Sequence, residues 1–363
     1  MDAADAGERW LVADMDDTLV PKPRTGLFPP ATESPAWGPL LAWLLAGGRL
    51  LVVTTANRRA FVQLWDCLPP QLLANGRVVF CTLEGGCLTV GDADGSPVED
   101  LGYRAAAAGG LGTCMAAQYL GEILERARAM LLAFFTDLRA DRTPLLALSD
   151  KYQGPFGAIV DGDQPLEEAL EMGRLREQGA IMEATNERIL SLNLPGTVKP
   201  GTPEAEAAVC SIVVMGLPDS CSERYLAPHL EAFAAMGVAA SSAPNSVWLK
   251  RADVDKSLPM RWMVARPKEF GFALRNAIAF GDNPTGNDAP LTSFVGEGMP
   301  FVSVAPSDAG LGAALLPTHV GGCCDGTAAV VAKLVGLENW PPDGERLGGL
   351  VADAAAELRA AAM

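Results

Sequence analysis

Nine residues near the start of the chain decide the fold: WLVADMDDT, residues 10–18. The apolar run WLVA is bounded by charged residues, which predicts a short buried β-strand. The strand ends abruptly in three carboxylates and a threonine. Asp14 and Asp16 lie two residues apart at a strand end, and two carboxylates this close together can divide the chemistry, so that one attacks while the other donates a proton. Taken alone, the pattern DxDxT is equally typical of an ordinary Asx turn.

The residues that follow alternate between helical and strand patterns. The predicted elements are a helix over Pro39–Ala46, a strand over Arg49–Val53, a helix over Phe61–Leu68 and a strand over Arg77–Thr82. With the first strand they give the order β-α-β-α-β, which predicts an α/β fold with a Rossmann-like, doubly wound parallel sheet. In such sheets ligands bind beyond the carboxyl ends of the strands.

The middle of the chain has a different character, and the parallel pattern returns after it. A turn-rich hairpin is predicted over Val90–Glu99, a long helix over Met115–Leu138, and antiparallel strands over Ser211–Met215 and Val238–Leu249. This pattern predicts an α+β domain inserted into the sheet domain. The predicted divisions are a first core segment 1–89, an inserted cap domain 90–246, a second core segment 247–340 and a C-terminal helical tail 341–363.

Three further groups of residues are candidates for chemistry. Thr55, in Thr55-Ala56-Asn57, follows the second strand, where a threonine is often only a turn or helix cap. Lys256 precedes a predicted helix, in a position that suits a solvated surface lysine equally well. Asp282 and Asp288 follow the predicted strand Ala277–Phe280 in the sequence GDNPTGND, and their oxygens suit Mg²⁺ as well as a plain turn.

The order of these groups resembles the four motifs of the haloacid dehalogenase (HAD) superfamily. Those motifs are matched by Asp14 with Asp16, by Thr55, by Lys256, and by Asp282 with Asp288. The resemblance covers residues 8 to about 90 and 247 to about 335. The insertion after the third strand is where the superfamily places type-II caps, and the segment from 211 to 256 looks like the end of a subclass IIB cap. That subclass includes the Cof-like, sucrose-phosphate and mannosylphosphoglycerate phosphatases.

The resemblance implies a Mg²⁺-dependent phosphomonoester phosphatase acting on a small phosphorylated sugar or sugar acid. Asp14 would be the nucleophile and Asp16 the acid and base. Thr55, Asn57 and Lys256 would bind the phosphoryl group. Mg²⁺ would be held by Asp14, the backbone carbonyl of Asp16, and Asp282, with Asp288 binding through water or orienting its loop.

The sequence departs from the family pattern in two places, and it leaves alternatives open. Asp282 and Asp288 are separated by two more residues than the usual motif, and Thr55-Ala56-Asn57 stands where Thr-Gly-Arg is common. Lys199 is a rival for the lysine role, although it lies far before Asp282. A phosphomutase would use the same aspartate pair, and a non-catalytic sugar-phosphate-binding relative would keep the same fold.

The composition of the chain limits which classes of partner and which compartment we expect. The chain has 363 residues, of which 49% are hydrophobic and 20% charged, and its formal net charge is −16. This charge argues against binding nucleic acid or an anionic membrane. The acidic N-terminus resembles no secretory or transit peptide, and eight cysteines without a close CxxC pair do not indicate a disulfide framework. We therefore expect a cytoplasmic protein whose partner is a small phosphate ester, with its oligomeric state undetermined.

Overall fold

The chain forms two compact units, which are described separately. One unit is built from residues before 106 and from 255 onward, and the other from residues between 106 and 254. The computed structural model describes residues 8–22, 28–56, 58–103, 106, 117–146, 150–166, 211–215, 224–243 and 246–361. Among these residues, no helix is both long enough and apolar enough to cross a membrane.

The elements of both units can be given in chain order. The strands are β1 Trp10–Ala13, β2 Arg49–Val53, β3 Val78–Thr82, β4 Cys87–Gly91, β5 Pro97–Glu99, β6 Ser211–Met215, β7 Val238–Ala243, β8 Ser246–Arg251, β9 Ala277–Gly281 and β10 Phe301–Ser303. The α-helices are α1 Trp37–Leu45, α2 Arg58–Gln63, α3 Pro70–Leu73, α4 Ala117–Ala140, α5 Thr143–Leu146, α6 Asp150–Asp161, α7 Leu230–Ala235, α8 Leu258–Val264, α9 Pro267–Phe270, α10 Ala289–Thr292, α11 Cys324–Val335 and α12 Gly344–Ala361.

The first unit is built on a seven-stranded sheet with the order β10-β9-β1-β2-β3-β4-β5. The five strands from β10 to β3 are parallel, and β1 lies in the middle of them, paired with β2 on one side and β9 on the other. The predicted α/β fold with a parallel-dominated, Rossmann-like sheet is confirmed. The strands at its centre are short, continuous apolar runs because both faces of the sheet are covered.

Alternate residues of the central strands pack on opposite faces. Leu11 of β1 and Val52 of β2 belong to a hydrophobic cluster with residues of α1, α11 and α12, among them Trp43. Trp10, on the other face of β1, is equally buried, and its ring meets the edge of Phe272 at a centroid distance of 5.4 Å. The sheet is therefore covered by chain on both faces, as the sequence pattern predicts.

The first unit extends further along the chain than the predicted division at residue 90. β4 pairs antiparallel with β3, and β5 pairs antiparallel with β4, so the hairpin over Val90–Glu99 continues the sheet. The last helix, predicted as a separate tail, also contributes to this unit, because Leu347 and Val351 of α12 are buried in its hydrophobic cluster.

The second unit has a sheet and a hydrophobic cluster of its own. Its antiparallel sheet has the order β6-β8-β7, and its cluster includes Phe134, Phe156, Phe233 and Leu249. β8 therefore belongs to this unit, and the first unit resumes at Asp255 instead of the predicted 247. The sequence also predicts a short acidic helix over 167–176 and a strand over 188–194, and both ranges lie outside the described residues.

A tight turn after β3 holds the segment that leads to Lys256. Gly85 adopts φ +108°, and a Cβ placed on it would lie 2.1 Å from the carbonyl oxygen of Asp255. The Tyr103 hydroxyl donates a hydrogen bond to the Gly85 carbonyl, and the Tyr103 ring packs edge-on against Trp262 at 5.5 Å. Only glycine combines this backbone conformation with so close an approach of another main chain.

We expect Gly85→Ala to lower the free energy of unfolding by about 2–4 kcal/mol, from a strained φ and a backbone clash together. The matched control is Gly298→Ala. Gly298 has φ +96°, but a Cβ placed on it would have no neighbouring atom within 4 Å, so this variant should lose only about 1 kcal/mol. Urea unfolding of the two variants measures the difference, and equal losses would show that the contact with Asp255 contributes nothing.

Candidate active site

Three neighbouring strands bring predicted site residues to one edge of the sheet. Asp14 follows β1, Asp282 follows β9, and Thr55 lies two residues beyond β2. The main-chain N–H of Asp14 donates to the carbonyl of Phe280 at 3.1 Å, which continues the β1–β9 pairing past the end of β1. Parallel strands present their carboxyl ends together, so residues that are distant in sequence meet at this edge.

Lys256 joins two of the carboxylates in a buried cluster. Its Nζ donates to Oδ1 of Asp14 and to Oδ1 of Asp288, each at 2.7 Å, and the Lys256 side chain is wholly buried. Burial alone would lower the pKa of Lys256, but the two carboxylates outweigh it and raise that pKa above its ordinary value. Burial raises the pKa of Asp14 well above its usual range, and Lys256 opposes that rise. The lysine is therefore charged, and its charge opposes the rise that burial causes in the pKa of Asp14.

Local hydrogen bonds at the start of α8 place Lys256. The Asp255 carboxylate accepts hydrogen bonds from the main-chain N–H of Ser257 at 2.7 Å and from its hydroxyl at 2.6 Å. The Asp255 carbonyl accepts from the N–H of Leu258 at 3.1 Å. These bonds fix the turn on both sides of Lys256, so the lysine enters the cluster from a rigid support.

The longer loop after β9 still delivers Asp288 to the cluster. Its second oxygen, Oδ2, accepts a hydrogen bond from the main-chain N–H of Asn283 at 3.0 Å. A Cβ on Gly281 would lie 2.4 Å from the same oxygen, so the glycine leaves room for the carboxylate. Both Asp288 oxygens thus accept hydrogen bonds from the protein, Oδ1 from Lys256 and Oδ2 from the N–H of Asn283.

Asp14, Asp282 and Asp288 form a group that fits a divalent cation. One carboxylate oxygen from each lies within 4.8 Å of the others. Ligand oxygens around an octahedral Mg²⁺ are about 2.9 Å apart when adjacent and about 4.1 Å when opposite. Burial, followed by the charge of Asp288, raises the pKa of Asp282 to about 7. Three carboxylates facing a single ammonium leave an excess of negative charge, so the donor set suits a hard cation.

Asp16 lies in the same loop but pairs with a different cation. Its Oδ1 and Oδ2 accept hydrogen bonds from Nη1 and Nη2 of Arg59 at 2.5 and 2.6 Å. Burial alone would raise the pKa of Asp16, but the Arg59 guanidinium holds it below its ordinary value. The loop turns at Asp17, which has φ +53° and whose N–H donates to the carbonyl of Val20 at 2.8 Å. Asp14 and Asp16 therefore accept hydrogen bonds from different cations, Asp14 from Lys256 and Asp16 from Arg59.

The remaining predicted residues are placed only in part. Thr55 is half-buried beyond β2, while its neighbour Thr54 is fully buried and accepts a hydrogen bond on Oγ1 from the N–H of Ala56 at 3.0 Å. Asn57 and the rival Lys199 lie outside the described residues. Of the two candidate lysines, Lys256 is the one described, and its Nζ lies 2.7 Å from Oδ1 of Asp14.

Arg59 is the site residue that the sequence pattern did not reveal. It lies in the first turn of α2, four residues after Thr55, and it is 4% exposed. Its partner Asp16 is 43 residues earlier in the chain. The sequence does show two arginines directly after the second motif in an otherwise acidic protein, but it does not identify their partner.

Comparison with known proteins finds similar solved structures at low sequence identity. No family model matches this chain, and no curated protein matches it. Solved structures that are similar include an IMP-bound, N-terminally truncated IMP-nucleotidase of Plasmodium falciparum, at 12% identity and a TM-score of 0.41 over 83% of this chain. The chain spans 65% of the length of that nucleotidase.

Two further solved structures match this chain over 80% and 90% of its length. One, from Eubacterium rectale, is 14% identical with a TM-score of 0.48 and covers 90% of this chain and 99% of its own. The other is a phosphatase of the haloalkanoate (HAD) enzyme superfamily from Bacteroides thetaiotaomicron. It is 15% identical with a TM-score of 0.41, over 80% of this chain and 82% of its own.

Proposed function

We propose that this chain is a Mg²⁺-dependent phosphomonoester phosphatase of the HAD type that works through an aspartyl-phosphate on Asp14. The observation that carries the proposal is the buried cluster in which Lys256 donates to both Asp14 and Asp288. A buried lysine joining two carboxylates at the carboxyl edge of a parallel sheet is costly to fold. It gives Asp14 a fixed position beside a positive charge, which suits attack on a dianionic phosphate.

In the proposed reaction Asp14 acts first. One of its oxygens attacks the phosphorus, the bond between phosphorus and the ester oxygen breaks, and the alcohol leaves with a proton from Asp16. Water then attacks the phosphorus of the aspartyl-phosphate and gives its proton to Asp16. This second step releases inorganic phosphate and restores Asp14.

Other residues support the phosphoryl group in this proposal. Lys256 offsets the charge of the attacking carboxylate and of the phosphoryl oxygens. Thr55 and Asn57 would donate hydrogen bonds to those oxygens. Asp14, Asp282 and the backbone carbonyl of Asp16 would hold Mg²⁺, and Asp288 would orient Lys256 and the loop after β9. When bound, the ion would neutralise negative charge on the phosphoryl group.

The unit between residues 106 and 254 is proposed to act as the cap. It has its own sheet and its own hydrophobic cluster, which are the features of a separate domain. Its part would be to select the substrate, a small phosphorylated sugar or sugar acid, and to exclude water.

The experiment that tests this function is phosphate release from a panel of sugar phosphates and para-nitrophenyl phosphate in the presence of Mg²⁺. Release from at least one ester supports the proposal. Product analysis by NMR separates hydrolysis from transfer to a second hydroxyl, the outcome expected of a phosphomutase. Binding of an ester with no turnover would indicate a sugar-phosphate-binding protein.

We expect EDTA to remove at least about 99% of this activity and Mg²⁺ to restore it, because three carboxylates would otherwise repel the phosphate. Ca²⁺ should restore it poorly, since it takes more oxygen ligands at longer distances than Mg²⁺. The measurement is the initial rate against free metal concentration, with Mg²⁺ binding followed in parallel by calorimetry. Full activity in EDTA, with no Mg²⁺ binding, would contradict the assignment of the carboxylate group to a metal.

A further inference from the structure

Arg59 binds Asp16 through two parallel hydrogen bonds, which fix both the position and the orientation of the carboxylate. The two nitrogens of its guanidinium donate to the two oxygens of Asp16 at 2.5 and 2.6 Å. The Arg59 side chain is 5% exposed and that of Asp16 is 14% exposed. A bidentate pair of this kind sets both the position and the plane of the carboxylate, which a lysine could not do.

The Arg59 side chain also contacts residues other than Asp16, and these contacts fix its conformation. Its Nη1 also donates to Oε1 of Gln63 at 2.7 Å, and Nε2 of Gln63 donates to the carbonyl of Pro29 at 2.6 Å. The centroid of the Phe28 ring lies 4.0 Å from the guanidinium carbon. The side chain is therefore fixed by a helix, a loop and an aromatic face, and little conformational entropy remains to be lost when it binds Asp16.

This arrangement separates Arg59 from the residues that would bind phosphate. The fork of its guanidinium is directed at Asp16, while Lys256 is the cation that contacts Asp14. An arginine bound in this way acts on the reaction through the acid and base. For Asp16 to act as the acid, one of the two hydrogen bonds must open so that the freed oxygen carries the proton that the leaving group takes, while the other keeps the carboxyl group in place.

We propose that Arg59 is the positioning residue of the acid and base Asp16, fixed for that task by Gln63 and Phe28. The inference rests on the proposed phosphatase function, and it adds a residue that the four motifs do not contain. It predicts that Arg59 matters most when the departing group needs a proton, because that is the step in which the placement of Asp16 limits the rate.

The test is a double-mutant cycle of Asp16→Ala and Arg59→Met on two substrates, glycerol 2-phosphate and para-nitrophenyl phosphate. The alcohol of the first leaves poorly without a proton, whereas the nitrophenolate of the second is stable. We expect Arg59→Met to lower kcat/KM for glycerol 2-phosphate by about 100-fold and for para-nitrophenyl phosphate by less than about tenfold. In the Asp16→Ala background, Arg59→Met should change neither value by more than about threefold, because the residue through which Arg59 acts is gone.

Two further variants make the result unambiguous. Arg59→Lys keeps the positive charge but lacks the fork, so it should show the same dependence on the leaving group even if Arg59→Met folds poorly. Arg49→Met is the matched control, because Arg49 opens β2 at the opposite edge of the sheet and pairs with Glu8. It should leave both substrates unchanged.

The outcomes separate this inference from the function on which it rests. Wild-type protein that hydrolyses neither ester would overturn the proposed function and the inference with it. Active wild type with equal losses on the two esters, or with additive losses in the cycle, would overturn the role of Arg59 alone.

Discussion

Replacing Lys256 with methionine should lower the free energy of unfolding by about 3–5 kcal/mol at pH 8 in metal-free buffer. Methionine fills a similar volume, so the loss comes from charge and hydrogen bonds. Asp14 and Asp288, each at 2.7 Å from the lysine, would be left buried without a cation. Urea unfolding followed by circular dichroism measures the change.

The matched control is Lys333→Met at the surface. Lys333 pairs with Glu357 at the same distance of 2.7 Å, but the glutamate side chain is 66% exposed. An exposed pair contributes about 0–1 kcal/mol, so this variant should unfold almost as the wild type does. Similar losses in the two variants would mean that burial of the Lys256 cluster does not set its energy.

The pH dependence of the Lys256→Met variant has a definite sign. Burial already raises the pKa of Asp14, and Lys256 is the largest influence lowering it. Without the lysine, the pKa of Asp14 rises further above that of the unfolded chain, so the stability of the variant increases more than that of wild type as pH falls. The deficit of the variant relative to wild type should therefore shrink between pH 8 and pH 5. A second substitution, Asp288→Asn, should recover part of it by removing one of the stranded charges.

The sheet was predictable from the sequence because its central strands are buried on both faces. WLVA and the apolar run of β2 leave few alternatives to short parallel strands. The antiparallel extension by β4 and β5 was not predictable, since the turn sequence GDADG between them indicates a hairpin but not which strand it joins. The same limit applies to β8, whose partners β6 and β7 are fixed by packing and not by the pattern of its own residues.

The part of the candidate site that was predictable from the sequence is the set of residues that directly follow the strands. Asp14 and Asp282 follow adjacent strands, so their meeting follows from topology alone. Lys256 lies 242 residues from Asp14, and only the resemblance to a family joined the two. Arg59 was missed because its role depends on a carboxylate in a distant loop, which the spacing of residues along α2 cannot indicate.

Asp14→Asn is expected to reduce turnover by at least about 1000-fold, because an amide cannot serve as the covalent nucleophile. The substitution keeps the size of the side chain and removes one buried charge from a group of three carboxylates. We therefore expect the variant to fold with a free energy of unfolding close to that of wild type. Asp66→Asn, at an exposed position, controls for the change of charge.

Transfer of the phosphoryl group to Asp14 is tested by a comparison of three proteins. Wild type, Asp14→Asn and Asp66→Asn are compared for phosphate release from para-nitrophenyl phosphate with Mg²⁺, after mass spectrometry has excluded deamidation of the introduced asparagine. If Asp14 is the nucleophile, wild type and Asp66→Asn are active and Asp14→Asn loses at least about 1000-fold. More than a tenth of wild-type activity in Asp14→Asn would contradict it.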